Sequence, residues 1–406
     1  MAIGQWIAVL ASLVPLMGCP SPPANEPRGL IVTAGFDSAS QPPTRGDAAA
    51  PVRYYVSPEG SDTNSGDSAA PFRTIQKAAD VAGPGDTVIV RAGTYTGEAQ
   101  IVSLERGGFP GAWITFRSER RHTAVLDGQD GKSKEAWYFG RGVGYVRVEG
   151  FEIRHLQEHG FDFYGGGVHD IEVVRNLVHH IGRYCTDTSN GRTGASLGAG
   201  AHRIVFDGNV WHDIGRHRPG EQGCDPRTEY YQNHDHGIYV ADADEITIQN
   251  NVFHAFKRGW AVHRYSSRGS PSRKLAILNN TFLGQNPYRP GQIIVASPTE
   301  GLRIENNIFH SPREAAIYFE DLRFPGASVG HNLIHEGVTR VGRPKGVTFS
   351  RNWENVDPRL EGEENVRLTV GSPAIDSGLS LVEVTHDADG VVRPRGTGHD
   401  LGAYER

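Results

Sequence analysis

The chain has 406 residues, enough for one large all-β domain or two ordinary ones. Its net charge of −6 argues against a general polyanion binder and against nucleic acid as a partner. The 51 glycines, about one residue in eight, imply many turns and close backbone packing.

Ile7–Met17 (IAVLASLVPLM) is an apolar run of signal-peptide length. No later apolar run is long enough to span a bilayer. The run ends in LMGC, Leu16–Cys19, which resembles the lipobox of bacterial lipoproteins. That resemblance implies a signal peptide over residues 1–18, lipidation at Cys19 and an exported, outer-membrane-anchored lipoprotein of the periplasm or cell surface. The membrane would be met through the lipid alone. Met1–Trp6 holds no Lys or Arg, a departure from the usual basic start. Residues 19–50 are rich in Pro, Ala, Ser and Gly and read as a flexible tether.

From residue 51 the chain reads as one solenoid. Pro71 opens a short amphipathic helix, FRTIQKAADVA, suited to cap the open end of a stack of strands. GDTVIV then starts the first coil. The stretch Tyr54–Tyr95 resembles the start of secreted bacterial β-helix proteins of the pectate-lyase-like superfamily, many of them carbohydrate-active.

Six later segments align: IEVVRNLVHHIG, IVFDGNVWHDIG, ITIQNNVFHAFK, LAILNNTFLGQ, LRIENNIFHSP and ASVGHNLIHEG. Their shared asparagines are Asn176, Asn209, Asn251, Asn280, Asn307 and Asn332, spaced by 33, 42, 29, 27 and 25 residues. VRVEGFEIRHLQ from Val146 reads as an earlier copy with Gly150 at the Asn position. Apolar alternation predicts strands, and the short period allows two or three per coil. An Asn recurring at one point of each coil can take a left-handed turn or bond to the Asn above and below. These features predict an all-β, right-handed parallel β-helix over 51–345. Propeller blades are longer, and a leucine consensus is absent. Residues 346–406 read as a last coil and a far-end cap. GSPAIDSG and DADGVVRPRGTGHDLGAYE within them resemble a tail of bacterial surface β-helix proteins. The DADG from Asp387 suggests Ca²⁺ but is too short to assign it.

Each coil has a further strand before the asparagine strand. Aligned after the turn these read GFDFY from Gly160, GASLG from Gly194, GIYVA from Gly237, GWAVH from Gly259, QIIVA from Gln292 and AIYFE from Ala316. Stacking at ~4.8 Å then sets Asp235 of HDHGIYV between Arg192 and Lys257, and His236 beside Arg258. Tyr239 faces outward on the same strand. Insertions at 183–193 and 216–233 flank it, as loops walling a groove do. Cys185 and Cys224 fall in these insertions, and in an oxidising compartment they are expected to pair. From Ile246 to Thr299, 54 residues contain no Asp or Glu and seven Lys or Arg, a local cationic field that suggests an anionic ligand. His179, His180, His212 and His254 recur just after the asparagine strand and read as turn-packing residues.

Uronic-acid polysaccharides are polyanions suited to such a groove. β-Elimination needs a cation to neutralise the carboxylate, a base for the C5 proton and an acid for the leaving oxygen. The candidate catalytic set is His234, His236, Tyr239, Lys257 and Arg264. The candidate substrate-binding set is Asp162, Arg192, Asp235, Arg258, His263 and Tyr265. The region resembles, loosely, β-helix alginate lyases and mannuronan epimerases. HDHG is not the epimerase DPH motif, and CDPR (Cys224–Arg227) lacks the His, so lyase is favoured. A glycoside hydrolase using Asp162, Asp235 or Glu320 is the second reading. A binding or adhesion solenoid using Tyr164, Tyr239, Tyr265 and Tyr318 is the third. A monomer is expected, and no cofactor is assigned.

Overall fold

The computed structural model describes residues 50–97, 100–185, 190–227, 234–256, 258–266, 271–284, 286–362 and 365–406. The expected signal peptide, Cys19 and the tether up to residue 49 lie outside them. Among the described residues the strands form three long parallel sheets of eleven, ten and nine strands, with a small two-stranded one beside them. Each coil passes through all three, giving a right-handed parallel β-helix. The HDHG coil shows the plan. Asp235–Val240 lies in the nine-stranded sheet, Ala243–Gln249 in the eleven-stranded sheet and Val252–His254 in the ten-stranded sheet. Alternation lines the interior with stacked side chains. Phe253, Phe282 and Phe309 lie ring on ring at 4.8 Å per step, each burial contributing roughly 1.5–3 kcal/mol.

The asparagine column is a ladder. The Asn176 Nδ2 donates to Asn209 Oδ1 at 3.1 Å, and the same bond repeats through Asn251, Asn280, Asn307 and Asn332. It continues one rung further, to Asn352. The left-handed turn belongs to the preceding residue: φ is +52° at Arg175, +54° at Asn250 and +59° at Asn306. Gly150 (φ +77°) therefore matches Arg175, and Phe151 matches the ladder, since its N–H donates to Asn176 Oδ1. The alignment through Gly150 is one residue off.

The N-terminal helix is shorter than expected, Ile75–Val81, because Thr74 caps it and Phe72 is held in a bridge to Val56. Asp62 accepts the N–H groups of Arg73 and Thr74 and fixes this entry. The C-terminal segment departs from the cap reading. The last coil ends at Trp353–Glu354, and the chain then folds back along the side of the solenoid. Three turn-position side chains hold its backbone: Asn306 Nδ2 donates to Leu379 O, Asn250 Nδ2 to His386 O and Arg175 Nε to Ala388 O. The segment is a strap across successive coils. Apolar contacts with Val252, Ile308 and Leu278 seal it. Asp387 of the DADG stretch braces the strap, accepting the N–H groups of Asp389, Val391 and Glu405.

Candidate active site

Two outward columns cross the nine-stranded sheet. One is Tyr138, Asp162, Ser196, Tyr239, His263, Ile294 and Tyr318, matched strand to strand. The other is Glu135, His159, Thr193 and His236. A glycine follows His159, Thr193 and His236, and a Cβ at Gly194 or Gly237 would point into the core, at Trp211 or Phe256. The kink there turns both the histidine and the residue three positions later outward.

His236, Tyr239 and His263 meet on this face. The His236 ring stacks on Tyr239 at 5.5 Å, and the His263 ring lies 4.3 Å from His236 and 5.3 Å from Tyr239. The Trp260 N–H donates to His236 Nδ1 at 3.2 Å. The His236 proton therefore sits on Nε2, which donates to His263 Nδ1 at 2.7 Å, and His263 keeps its own proton on Nε2. Burial first, then the charges of Arg289, His234 and Arg264, hold His263 down at about 3, so the imidazole is neutral in ordinary buffers. Burial pushes the Tyr239 phenol up, so it keeps its proton. Tyr265, 41% exposed, stands beside His263 at 5.8 Å.

A second feature lies on the same face. Burial, then Asp162 and Glu158, raise Glu135 to about 7. Asp162 accepts the Tyr164 N–H at 2.9 Å. Next to this pair, His159 Nδ1 lies 2.9 Å from Thr193 Oγ1.

A family description reading "Right handed beta helix region" matches residues 139–352, more than half of the chain. The chain belongs to the right-handed β-helix family. A narrower description, "Pel9A-like, right handed beta helix region", matches residues 54–221. An uncharacterized protein of Bacillus subtilis, YwoF, is 31% identical over 34% of this chain and 26% of its own length. Pectate lyase PEL9 of Emericella nidulans is 37% identical over 19% of this chain and 18% of its own length. The chain thus spans about a quarter or less of these curated relatives. The crystal structure of pectate lyase Pel9A superposes with a TM-score of 0.55 at 15% identity, covering 88% of this chain and 97% of that one, which supports the fold.

Within this β-helix protein the expected site residues divide. His236, Tyr239, His263 and Tyr265 come together as described, and the exposed His234 lies near enough for its charge to act on His263. Asp162 stands on the same face two coils away from Tyr239. Asp235, Arg192, Arg258 and Arg264 are buried. Asp235 does match Arg192 in register, but its carboxylate accepts the backbone N–H groups of Arg192 and Arg216 and pairs with the Arg216 guanidinium at 3.3 Å. The Arg192 guanidinium lies 3.3 Å from Glu158. Lys257 lies outside the described residues.

The register of the GWAVH coil requires correction. Tyr239 matches His263 and Val240 matches Arg264, two residues on from the expected pairing. Gly259 and Trp260 are the extra residues. The Trp260 carbonyl still accepts the Gly237 N–H, so a bulge inserts them without breaking the sheet. The slip brings His263 beside Tyr239. It also puts Arg264 in the inward row, between Val240 and Val295, where its guanidinium donates to Ala241 O and Thr299 Oγ1. The Arg258 guanidinium is packed over the Tyr288 ring at 5.0 Å. Two cations of the acid-free stretch, Arg273 and Lys274, pair with Asp244 and Glu245 just before it.

Cys185 and Cys224 are joined, with Cα atoms 5.4 Å apart. Two site residues were missed. Glu135 precedes the aligned repeats, although EAWYF from Glu135 alternates as the later strands do. Arg289 was counted only as charge, yet it is half-buried and is the strongest charge acting on His263.

Proposed function

We propose that this β-helix protein is a polysaccharide lyase that cleaves a uronic-acid polysaccharide by β-elimination on the outer face of the nine-stranded sheet. The observation that carries the reading is the contact set of Tyr239 with the hydrogen-bonded His236–His263 pair, in which the charge of Arg289 helps hold His263 neutral. Arg289 neutralises the uronate carboxylate and so acidifies the C5 proton. His234, exposed at the mouth, takes that proton. Tyr239, kept protonated by burial, gives its proton to the leaving glycosidic oxygen. The His236–His263 pair orients the phenol. Tyr265 offers an exposed ring on which a sugar stacks.

The likeness to pectate lyases over part of the chain supports the same class. The hydrolase reading is supported by the Glu135–Asp162 pair, in which the neighbouring carboxylate helps burial to raise Glu135 to about 7. Of the other two expected carboxylates, Asp235 is sealed from substrate and Glu320 is exposed.

The test is incubation with a panel of polyuronates, following the ultraviolet absorbance of the unsaturated uronate product. A rise on at least one substrate is expected. New reducing ends without that band would make the protein a hydrolase. Neither signal, with retention on a polysaccharide column, would make it a binding module.

We read Leu16–Cys19 as a lipobox, which would anchor the enzyme through a lipid at Cys19 and leave it monomeric at a membrane surface. Labelled palmitate is expected in the wild-type chain and not in Cys19→Ala.

A further inference from the structure

The ten-stranded sheet carries a row of histidines far from any role in the reading above. His179 and His212 occupy matched positions in adjacent coils. Their rings are parallel within 2° at 4.7 Å, and His254 extends the stack at 4.6 Å. After each of these histidines the chain makes a left-handed turn, at His180 (φ +54°), Asp213 (φ +49°) and Ala255 (φ +55°). That turn folds the next side chain back beside the first. The His180 ring consequently stands edge-on to both His179 and His212, at 83° and 85°. The Asp213 Oδ2 lies 2.9 Å from His212 Nδ1.

We propose that His179, His180 and His212, with Asp213, form a binding site for one divalent transition-metal ion of the zinc class. One ring nitrogen from each histidine lies within 4.8 Å of the others. A tetrahedral ion with metal–nitrogen bonds of ~2.0–2.1 Å draws its ligands to about 3.3 Å apart, so the widest separation closes by about 1.5 Å at most. Small rotations of these half-buried side chains supply that movement.

The protonation pattern favours the metal. Glu152 Oε1 lies 3.3 Å from His179 Nε2 and accepts its proton, which leaves the lone pair on Nδ1, the atom facing His180 Nδ1 at 2.7 Å. Carboxylates that orient the far nitrogen of a ligating histidine are the usual outer partners of such sites. Without metal, the His180 proton on Nδ1 bridges the two Nδ1 atoms. The ion takes its place, and His180, still neutral, carries its proton on Nε2 instead.

Three imidazoles and one carboxylate select zinc, copper or nickel over calcium or magnesium, which prefer oxygen ligands. The neighbouring coil offers no such set, because Ala255 stands where Asp213 does and carries no donor.

The experiment uses the untagged full chain, stripped with chelator, and Zn²⁺ in equilibrium dialysis, with Co²⁺ as an optical probe. One equivalent of Zn²⁺ per chain is expected, together with the intense visible bands of tetrahedral Co²⁺. His180→Ala and His212→Ala each weaken binding by about 10-fold or more, and Asp213→Asn weakens it measurably. His254→Ala, in the same stack, leaves affinity unchanged. Failure of the wild type to retain Zn²⁺ above the His180→Ala level overturns the proposal. So does a His254→Ala loss equal to that of His212→Ala, which would mean diffuse binding along the ladder. If a histidine variant fails to fold, the wild-type stoichiometry and the Asp213→Asn affinity decide the matter alone.

Discussion

Tyr239 and Asp235 lie four residues apart on one strand and do opposite work. Tyr239 is half-buried on the outer face and contributes little to the core. Tyr239→Phe is therefore expected to fold with an unchanged melting temperature and to lose about 10²-fold or more in kcat on the best polyuronate. Retention of wild-type turnover would remove Tyr239 from the chemistry. Asp235 is fully buried against Arg216, so Asp235→Ala strands a buried guanidinium and costs about 3–5 kcal/mol, read as a fall in the denaturation midpoint. Glu135 gives a pH signature. Its carboxyl, raised from an ordinary 4.5 to about 7, binds a proton in the folded chain that the unfolded chain has lost. The linked stability is present below about 4.5 and fades as pH rises towards 7. Because the group is only half-buried, solvent screening reduces it to about 1–2 kcal/mol. The melting temperature of Glu135→Gln should fall less between pH 5 and pH 8 than that of the wild type. Equal slopes would show that the pair does not titrate there.

At the scale of the element, each asparagine serves three strands' worth of backbone. Asn280 accepts the Asn251 N–H and donates to Ile248 O and Asn307 Oδ1. Asn280→Ala leaves these groups buried without partners and should cost about 2–4 kcal/mol, measured by urea denaturation. The residue before the ladder has its own task. In the doublets Asn250–Asn251, Asn279–Asn280 and Asn306–Asn307 the second Asn builds the ladder and the first holds the strap. The bulge at Gly259 is the other decisive element feature. A Cβ there would lie 1.4 Å from the Asp235 carbonyl oxygen, so Gly259→Ala must displace Trp260 and its hydrogen bond to His236. Loss of turnover with modest destabilisation is expected, and an unaltered kcat would count against the role given to the His236–His263 pair.

For the whole molecule, the solenoid sums many similar interfaces between neighbouring coils. Two long-range ties act on top of that sum. The strap crosses the coils of Asn306, Asn250 and Arg175 and buries the Arg393–Glu405 pair completely. The Cys185–Cys224 bond joins two loops across a sequence separation of 39 residues. Chain entropy gives it a worth of about 3–4 kcal/mol. Cys185→Ser should lower the melting temperature and leave the Zn²⁺ affinity untouched.

The β-helix was legible in the sequence because its period is written locally. Alternating apolar residues and a recurrent Asn need only the next coil to make sense, and each coil repeats the same burial. The outward position of Tyr239 was legible for the same reason, from the alternation of GIYV; that His236, three residues earlier, shares its face depends on the kink at Gly237, which alternation does not contain. What they meet was decided by tertiary structure. A shared glycine suggested one register for GWAVH, but Gly259 fits against Asp235 only as part of a bulge, and the resulting two-residue slip exchanged Ala261 for His263 beside Tyr239. The same slip turned Arg264 inward. Burial of Asp235 depended on Arg216, in an insertion whose path no repeat specifies. The histidines after the asparagine strand were legible as a column. Only the left-handed turns at His180 and Asp213, which no alternation rule contains, brought three imidazoles from two coils together, with Asp213 against one of them.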